Sequence, residues 1–121
     1  MRALLLNPPF LAPKYAGLGI SFPMGLAYLG AALQNAGVNV QALDAAAEAP
    51  PVEAEKDLMR YGLEPKRLHE RIADIKPDVV GIGCFFSSRF PAVLEAAKII
   101  KSIDSRIVTI TGGIHPSLMP E

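Results

Sequence analysis

The run from Arg2 to Ala36 constrains this chain more than any other stretch. Ala3-Leu4-Leu5-Leu6 is short and wholly apolar, as in a strand covered on both faces at the centre of a parallel sheet. Asn7-Pro8-Pro9 ends it. A loop rich in Pro and Gly continues to Pro23, and a helix is predicted over Gly25–Leu33, closing near Gly37. Together these make the first half of a β-α-β unit. Its loop far exceeds the roughly two to six residues such connections take. Open α/β sheets bind ligands in the crevice beyond the carboxyl ends of their strands, so this loop is a candidate binding element.

The rest of the chain repeats the alternation. Val38–Leu43 reads as a second strand ending at Asp44, with Gly37 at the left-handed position that closes a helix. Ala45–Leu63 is read as an exposed crossover with one helical turn near Asp57–Arg60. Pro65–Ile75 is a second helix, with Leu68, Ile72 and Ile75 on one face and Pro77 ending it. Val79–Gly83 is the third strand, apolar throughout. Cys84–Phe90 is the loop beyond it, and Pro91 opens a third helix with Val93, Ala97, Ile100 and Ile103 inward. Arg106–Ile110 is the fourth strand. Leu26, Leu29 and Leu33 are assigned to the core. The pattern predicts an α/β, three-layer, flavodoxin-like or Rossmann-like sandwich with parallel sheet order 2-1-3-4. The sequence stops just after a strand. It is therefore expected to be cut before a fifth strand-helix unit, leaving apolar surface on one face exposed or paired in a homodimer.

Composition narrows the partners. The 121 residues suit one domain, and half are hydrophobic, enough for a real core. Lys plus Arg and Asp plus Glu both number 12, so no basic excess points to nucleic acid. No apolar run approaches the roughly 20 residues of a membrane span, and Pro8, Pro9 and Pro13 break any signal-peptide layout. A single cysteine excludes an internal disulfide and fits a cytoplasmic location.

Three loops are expected around one crevice: Asn7–Pro23 with Lys14, Tyr15, Gly17 and Gly19; Cys84–Phe90 with Ser87 and Ser88; and Thr111–Pro116 with Gly112 and Gly113. None holds a carboxylate pair, a Ser-His-Asp set or a nucleophile beside a base. The site is built to hold a ligand. Gly17-Leu18-Gly19 comes too late for a dinucleotide fingerprint, and no G-x-x-x-x-G-K-S/T occurs. Asn7 and Cys84 stand where a phospho-receiver domain needs acids. These exclusions leave flavin-like or corrinoid ligands. Bland roles stand beside the sharp ones. Ser87 and Ser88 also suit capping of the third helix, Gly112-Gly113 suits a tight turn, Cys84 a small buried side chain, and His69 a solvent-facing position.

Four motifs in order carry a resemblance: Leu5-Leu6-Asn7-Pro8-Pro9; Phe22-Pro23-Met24-Gly25-Leu26-Ala27-Tyr28-Leu29; Lys76-Pro77-Asp78-Val79-Val80-Gly81-Ile82; and Gly112-Gly113-Ile114-His115-Pro116-Ser117. Over essentially the whole chain these resemble the N-terminal cobalamin-binding domain of B12-dependent radical SAM enzymes, the branch that includes anaerobic magnesium-protoporphyrin IX monomethyl ester cyclase. The resemblance implies that residues 1–121 form the cofactor domain of a longer methyltransferase or tetrapyrrole cyclase. Its downstream radical SAM barrel would hold S-adenosylmethionine and a 4Fe-4S cluster. It further implies that cobalamin binds base-off, its nucleotide tail threading beside the central strands. Asn7, Pro8, Lys14, Tyr15, Gly17, Ser87, Ser88, Gly112, Gly113 and His115 would contact the cofactor. The D-x-H-x-x-G motif of methionine-synthase-like B12 domains is absent, so the resemblance implies no histidine ligand to cobalt from the first loop. His115 is assigned to hydrogen bonding with backbone or the ligand periphery in preference to cobalt. With one cysteine the chain cannot itself hold a C-x-x-x-C-x-x-C cluster. The rival readings are a stand-alone flavin or small-molecule module and a ligand-free interaction domain.

Overall fold

The structure, a computed structural model, describes residues 1–13, 24–55, 57–83 and 90–112. In chain order the elements are β1 (Arg2–Asn7), β2 (Phe10–Pro13), α1 (Met24–Asn35), β3 (Asn39–Asp44), β4 (Val52–Glu55), β5 (Leu58–Tyr61), α2 (Pro65–Ile75), β6 (Val79–Gly83), α3 (Phe90–Ile103) and β7 (Val108–Gly112).

The apolar run of β1 lies at the sheet centre, parallel to β3 on one side and β6 on the other. β7 adds to β6, also in parallel, giving the order β3-β1-β6-β7. Counted by these four strands alone, that is the expected 2-1-3-4. Alternate residues of a strand face opposite ways, and the burial follows that rule. Leu4, Leu6, Val80 and Ile82 join Leu68 and Ile72 of α2 and Val93, Ala96 and Ile100 of α3 in one core. Leu5 faces the other way, where its side chain lies 3.5 Å from the point a Cβ on Gly30 of α1 would occupy.

Local signals set the helix ends as expected. Gly37 follows α1 with φ +83. Lys76 caps α2 in the left-handed region, donating its backbone N–H to Ile72 O, just ahead of Pro77. Ile72 itself is 0% exposed at the core centre. Ile72→Ala is therefore expected to lower the unfolding free energy by about 2–5 kcal/mol, read from urea denaturation. A loss below about 1 kcal/mol would contradict this packing.

Three expectations are corrected. Ala45–Leu63 is not an exposed crossover with a helical turn. It contains the antiparallel pair β4–β5, with Asp57 at φ 57 between the strands. The first loop is not wholly irregular either: β2 pairs antiparallel with β5, making a second sheet of order β2-β5-β4. Phe10 and Tyr61 stack at 5.0 Å between ring centroids, and both are buried. Prolines on both sides of β2 hid this strand. Pro13 is tolerated because β2 is an edge, where a missing N–H breaks no ladder bond. Third, Leu29 is exposed, and Leu26 and Leu33 are half-buried. The helix α1 carries no charged residue and packs chiefly on β3 and β1, and part of its apolar surface faces outward.

β7 starts two residues later than expected. Ala96, in place of Ala97, is the fully buried alanine of α3. Val108 and Ile110 of β7 are 55% and 57% exposed. They pair with Val79 and Gly81 and so stand on the α1 side of the sheet. Among the described residues no helix is long and apolar enough to cross a membrane.

Candidate functional site

The four parallel strands end level with one another. Asn7 pairs with Asp44, Gly83 pairs with Gly112, and Asn7 and Gly83 each follow the pair Leu6–Ile82. Asp44, Asn7, Gly83 and Gly112 therefore form a row along the carboxyl edge, all on the α1 side. At about 4.8 Å per strand the row is about 14 Å long. The first turn of α1 stands over its middle, with Leu26 side-chain atoms 3.7–3.8 Å from the point a Cβ on Gly83 would occupy.

One half of the row is polar. Asn7 Nδ2 donates to Asp44 Oδ1 at 2.8 Å. The neighbouring backbone is tied as well, Ala45 N–H donating to Asn7 O at 3.0 Å. The other half is bare. Gly112 is exposed, and a Cβ added there would meet nothing within 4 Å among the described residues. The three atoms nearest a Cβ on Gly83 would all belong to Leu26, at ordinary contact distance. Neither glycine has positive φ. Neither backbone conformation nor packing of the described chain explains why these positions lack a side chain. Glycine in a strand weakens it, and bare backbone is where a ligand could approach closely. Thr111 Oγ1 donates to Ile82 O at 3.1 Å beside the pair.

The opposite side of this edge is shut. Pro8 is buried and turns the chain from β1 into β2. Phe10, Ala12 and Tyr61 of the small sheet pack with Ala46, and Ala92 of α3 packs against them. Between that sheet and helices α2 and α3 remains a cavity of about 10 Å³, lined in part by Pro9, Arg60 and Leu68. It holds one water at most. A shallow groove of about 240 Å³ runs along α1 and β3, lined in part by Leu26, Ala27, Ala31, Gln34 and Ala42; Gly83 and Gly112 do not line it.

Of the residues singled out in the sequence, Asn7 and Gly112 fall on the row and Pro8 lies behind it. Lys14, Tyr15, Gly17, Ser87, Ser88, Gly113 and His115 lie outside the described residues. Sequence reasoning missed Asp44 and Gly83. Both are the last residues of their strands, a signal that strand-end counting alone could have raised. Among the described residues no group of three or more His, Cys, Asp or Glu comes together that could hold a metal ion.

An open parallel sheet whose carboxyl edge is closed on one side defines an α/β domain with a candidate ligand crevice at its strand ends. Residues 18–121 match the family described as the B12 binding domain, and the chain belongs to that family. Over 124 residues it is 32% identical to cytidylyl-2-hydroxyethylphosphonate methyltransferase of Streptomyces wedmorensis, covering 99% of this chain and 23% of that protein. Over 66 residues it is 35% identical to anaerobic magnesium-protoporphyrin IX monomethyl ester cyclase of Rubrivivax gelatinosus, covering 52% of this chain and 11% of that protein. The chain thus spans less than a quarter of the length of these curated relatives. No solved structure matches it significantly. The row fits a corrinoid on its own terms. Side-chain-free backbone leaves room for a broad ligand, and amide and carboxylate atoms suit a periphery of carboxamides.

Proposed function

We propose that this chain binds cobalamin base-off, as the cofactor domain of a longer, cytoplasmic B12-dependent radical SAM methyltransferase or tetrapyrrole cyclase. The observation that carries this reading is the pair Gly83 and Gly112. They are adjacent on the α1 side, Gly112 open and Gly83 beside Leu26 at ordinary contact distance, and nothing in the described fold requires them to be glycine. In this reading the nucleotide tail runs along that pair, and Gly113 continues the bare surface. Ser87 and Ser88 lie beside the tail, Lys14, Tyr15 and Gly17 cover the lower face of the corrin, and His115 meets the ligand periphery. Asn7 and Pro8 bound the crevice.

Cobalamin supplies a corrin-bound cobalt able to carry a methyl group or an electron. The chain's own part is to enclose the cofactor and hold its tail away from the metal. The names of the two relatives support a methyltransferase or a cyclase, and the share of them that the chain covers supports catalytic machinery elsewhere in a longer polypeptide. The single cysteine supports the same division, since a 4Fe-4S cluster of that class needs three thiolates. The exposed Val108 and Ile110 support a further element packing over β6 and β7 in that polypeptide.

The test is incubation of the purified chain with hydroxocobalamin followed by desalting. The protein is expected to retain a red to amber colour with a base-off visible spectrum. A colourless protein, or a yellow one with flavin fluorescence, overturns the reading. A base-on spectrum overturns the tail placement.

A further inference from the structure

We propose that Asp44 is a specificity-determining residue: through Asn7 it makes the carboxyl edge read ligand N–H groups and reject carboxylates. The inference rests on the cobalamin reading above and adds to it which chemical form of the corrinoid is accepted. Asp44 is the last residue of β3, half-buried, and paired in register with Asn7 at the end of β1. Asn7 Nδ2 donates to Asp44 Oδ1 at 2.8 Å.

A carboxylate only accepts hydrogen bonds, so this contact settles which way the Asn7 amide is turned. Its NH₂ faces Asp44 and its Oδ1 faces away. Among the described residues nothing donates to that Oδ1, and no cation pairs with Asp44. The edge therefore offers two acceptor atoms, Asn7 Oδ1 and Asp44 Oδ2, next to the bare backbone of Gly83. Acceptors select donors. A primary carboxamide supplies N–H groups and a corrinoid carries several on its rim. The hydrolysed form of such a group is a carboxylate. It has no proton to give and brings a like charge against Asp44, an arrangement that costs several kcal/mol at an interface. The pair thus distinguishes intact amide-bearing corrinoid from its partly hydrolysed acids. A neutral carboxamide at position 44 would not.

The probes are hydroxocobalamin, its three propionamide-derived monocarboxylic acids, and a derivative with tertiary amides, which is neutral but lacks N–H. Affinities for the full chain are read by visible titration. The unmodified chain is expected to bind at least one monoacid at least about tenfold more weakly than hydroxocobalamin. It is expected to bind the tertiary amide more weakly as well. Asp44→Asn keeps the shape and an acceptor for Asn7 but replaces Asp44 Oδ2 with a donor, so hydroxocobalamin should bind more weakly, while the ratio of monoacid to hydroxocobalamin affinity should shrink to within about threefold. A merely structural role for Asp44 would weaken all ligands together and leave the ratio unchanged. Equal affinity of the unmodified chain for all three acids and hydroxocobalamin overturns the inference, with or without a folded variant. So does an unchanged ratio in Asp44→Asn. Both results leave the cobalamin reading standing. Failure of the unmodified chain to bind hydroxocobalamin overturns that reading, and this inference with it.

Discussion

Gly112→Phe is expected to weaken hydroxocobalamin binding by at least about 100-fold, equivalent to about 2.7 kcal/mol, while the protein stays folded. The two halves of this expectation come from one observation. A Cβ at Gly112 points into open space among the described residues, and the backbone there has no positive φ. The chain therefore accepts a side chain without strain. Phenylalanine is moreover a better strand residue than glycine. A thermal midpoint within a few degrees of the unmodified protein is the first measurement. If the nucleotide tail of cobalamin passes over this strand end, an aromatic ring fills its path. Visible titration with hydroxocobalamin is the second measurement. Undiminished affinity in the folded variant would remove the tail from Gly112. Loss of the fold itself would show that the open space is filled by the chain's own residues.

The largest effect on stability is expected at Gly62, where even alanine should prevent normal folding. Gly62 follows β5 with φ +102, a conformation that side-chain-bearing residues rarely adopt. An added Cβ would lie 2.2 Å from Ala45 O, 2.6 Å from Ala46 Cα and 2.9 Å from Ala45 C. All three are backbone atoms, and they cannot swing aside as a flexible side chain does. Ala45 and Ala46 are themselves buried, and Leu63 N–H donates to Ala45 O at 3.0 Å. Relief would mean parting the turn after β3 from the turn after β5. We expect a loss above about 4 kcal/mol, a large share of the 5–15 kcal/mol that holds a typical domain. The checks are soluble yield, circular dichroism and urea denaturation of Gly62→Ala. A loss under about 1 kcal/mol would mean the two turns do not meet as closely as described. Because Ala45 follows Asp44 directly, the same contact also steadies the polar half of the row.

The positions of β1, α2 and β6 were legible because their signals are local. Four apolar residues before Asn7-Pro8-Pro9 can only be a short buried strand or a fragment of helix, and the prolines decide. Pro65, the spacing of Leu68 and Ile72, and Pro77 bracket α2 without reference to anything distant. Sheet order followed from alternation of strands and helices, since right-handed crossovers leave few arrangements. The level row of strand ends followed in turn, because parallel strands of such a sheet finish along one edge.

The small sheet and the site's polar half were not legible. Phe10 meets Tyr61 from a distant part of the chain, and no neighbour of either residue announces the pair. Leu29 reads as core from its own helix. Whether it is buried depends on how much sheet lies beneath α1, which only the packed structure specifies. Asp44 and Asn7 are each an ordinary strand-ending residue. Their hydrogen bond exists because two parallel strands stop at the same level.

By itself, the sequence determined the elements and their order, because turns, caps and apolar periodicity act between residues a few positions apart. Only the tertiary structure decided which strand ends stand side by side, which glycines have open space before them and which have backbone. Those are properties of surfaces brought together from distant parts of the chain, and no short-range pattern encodes them.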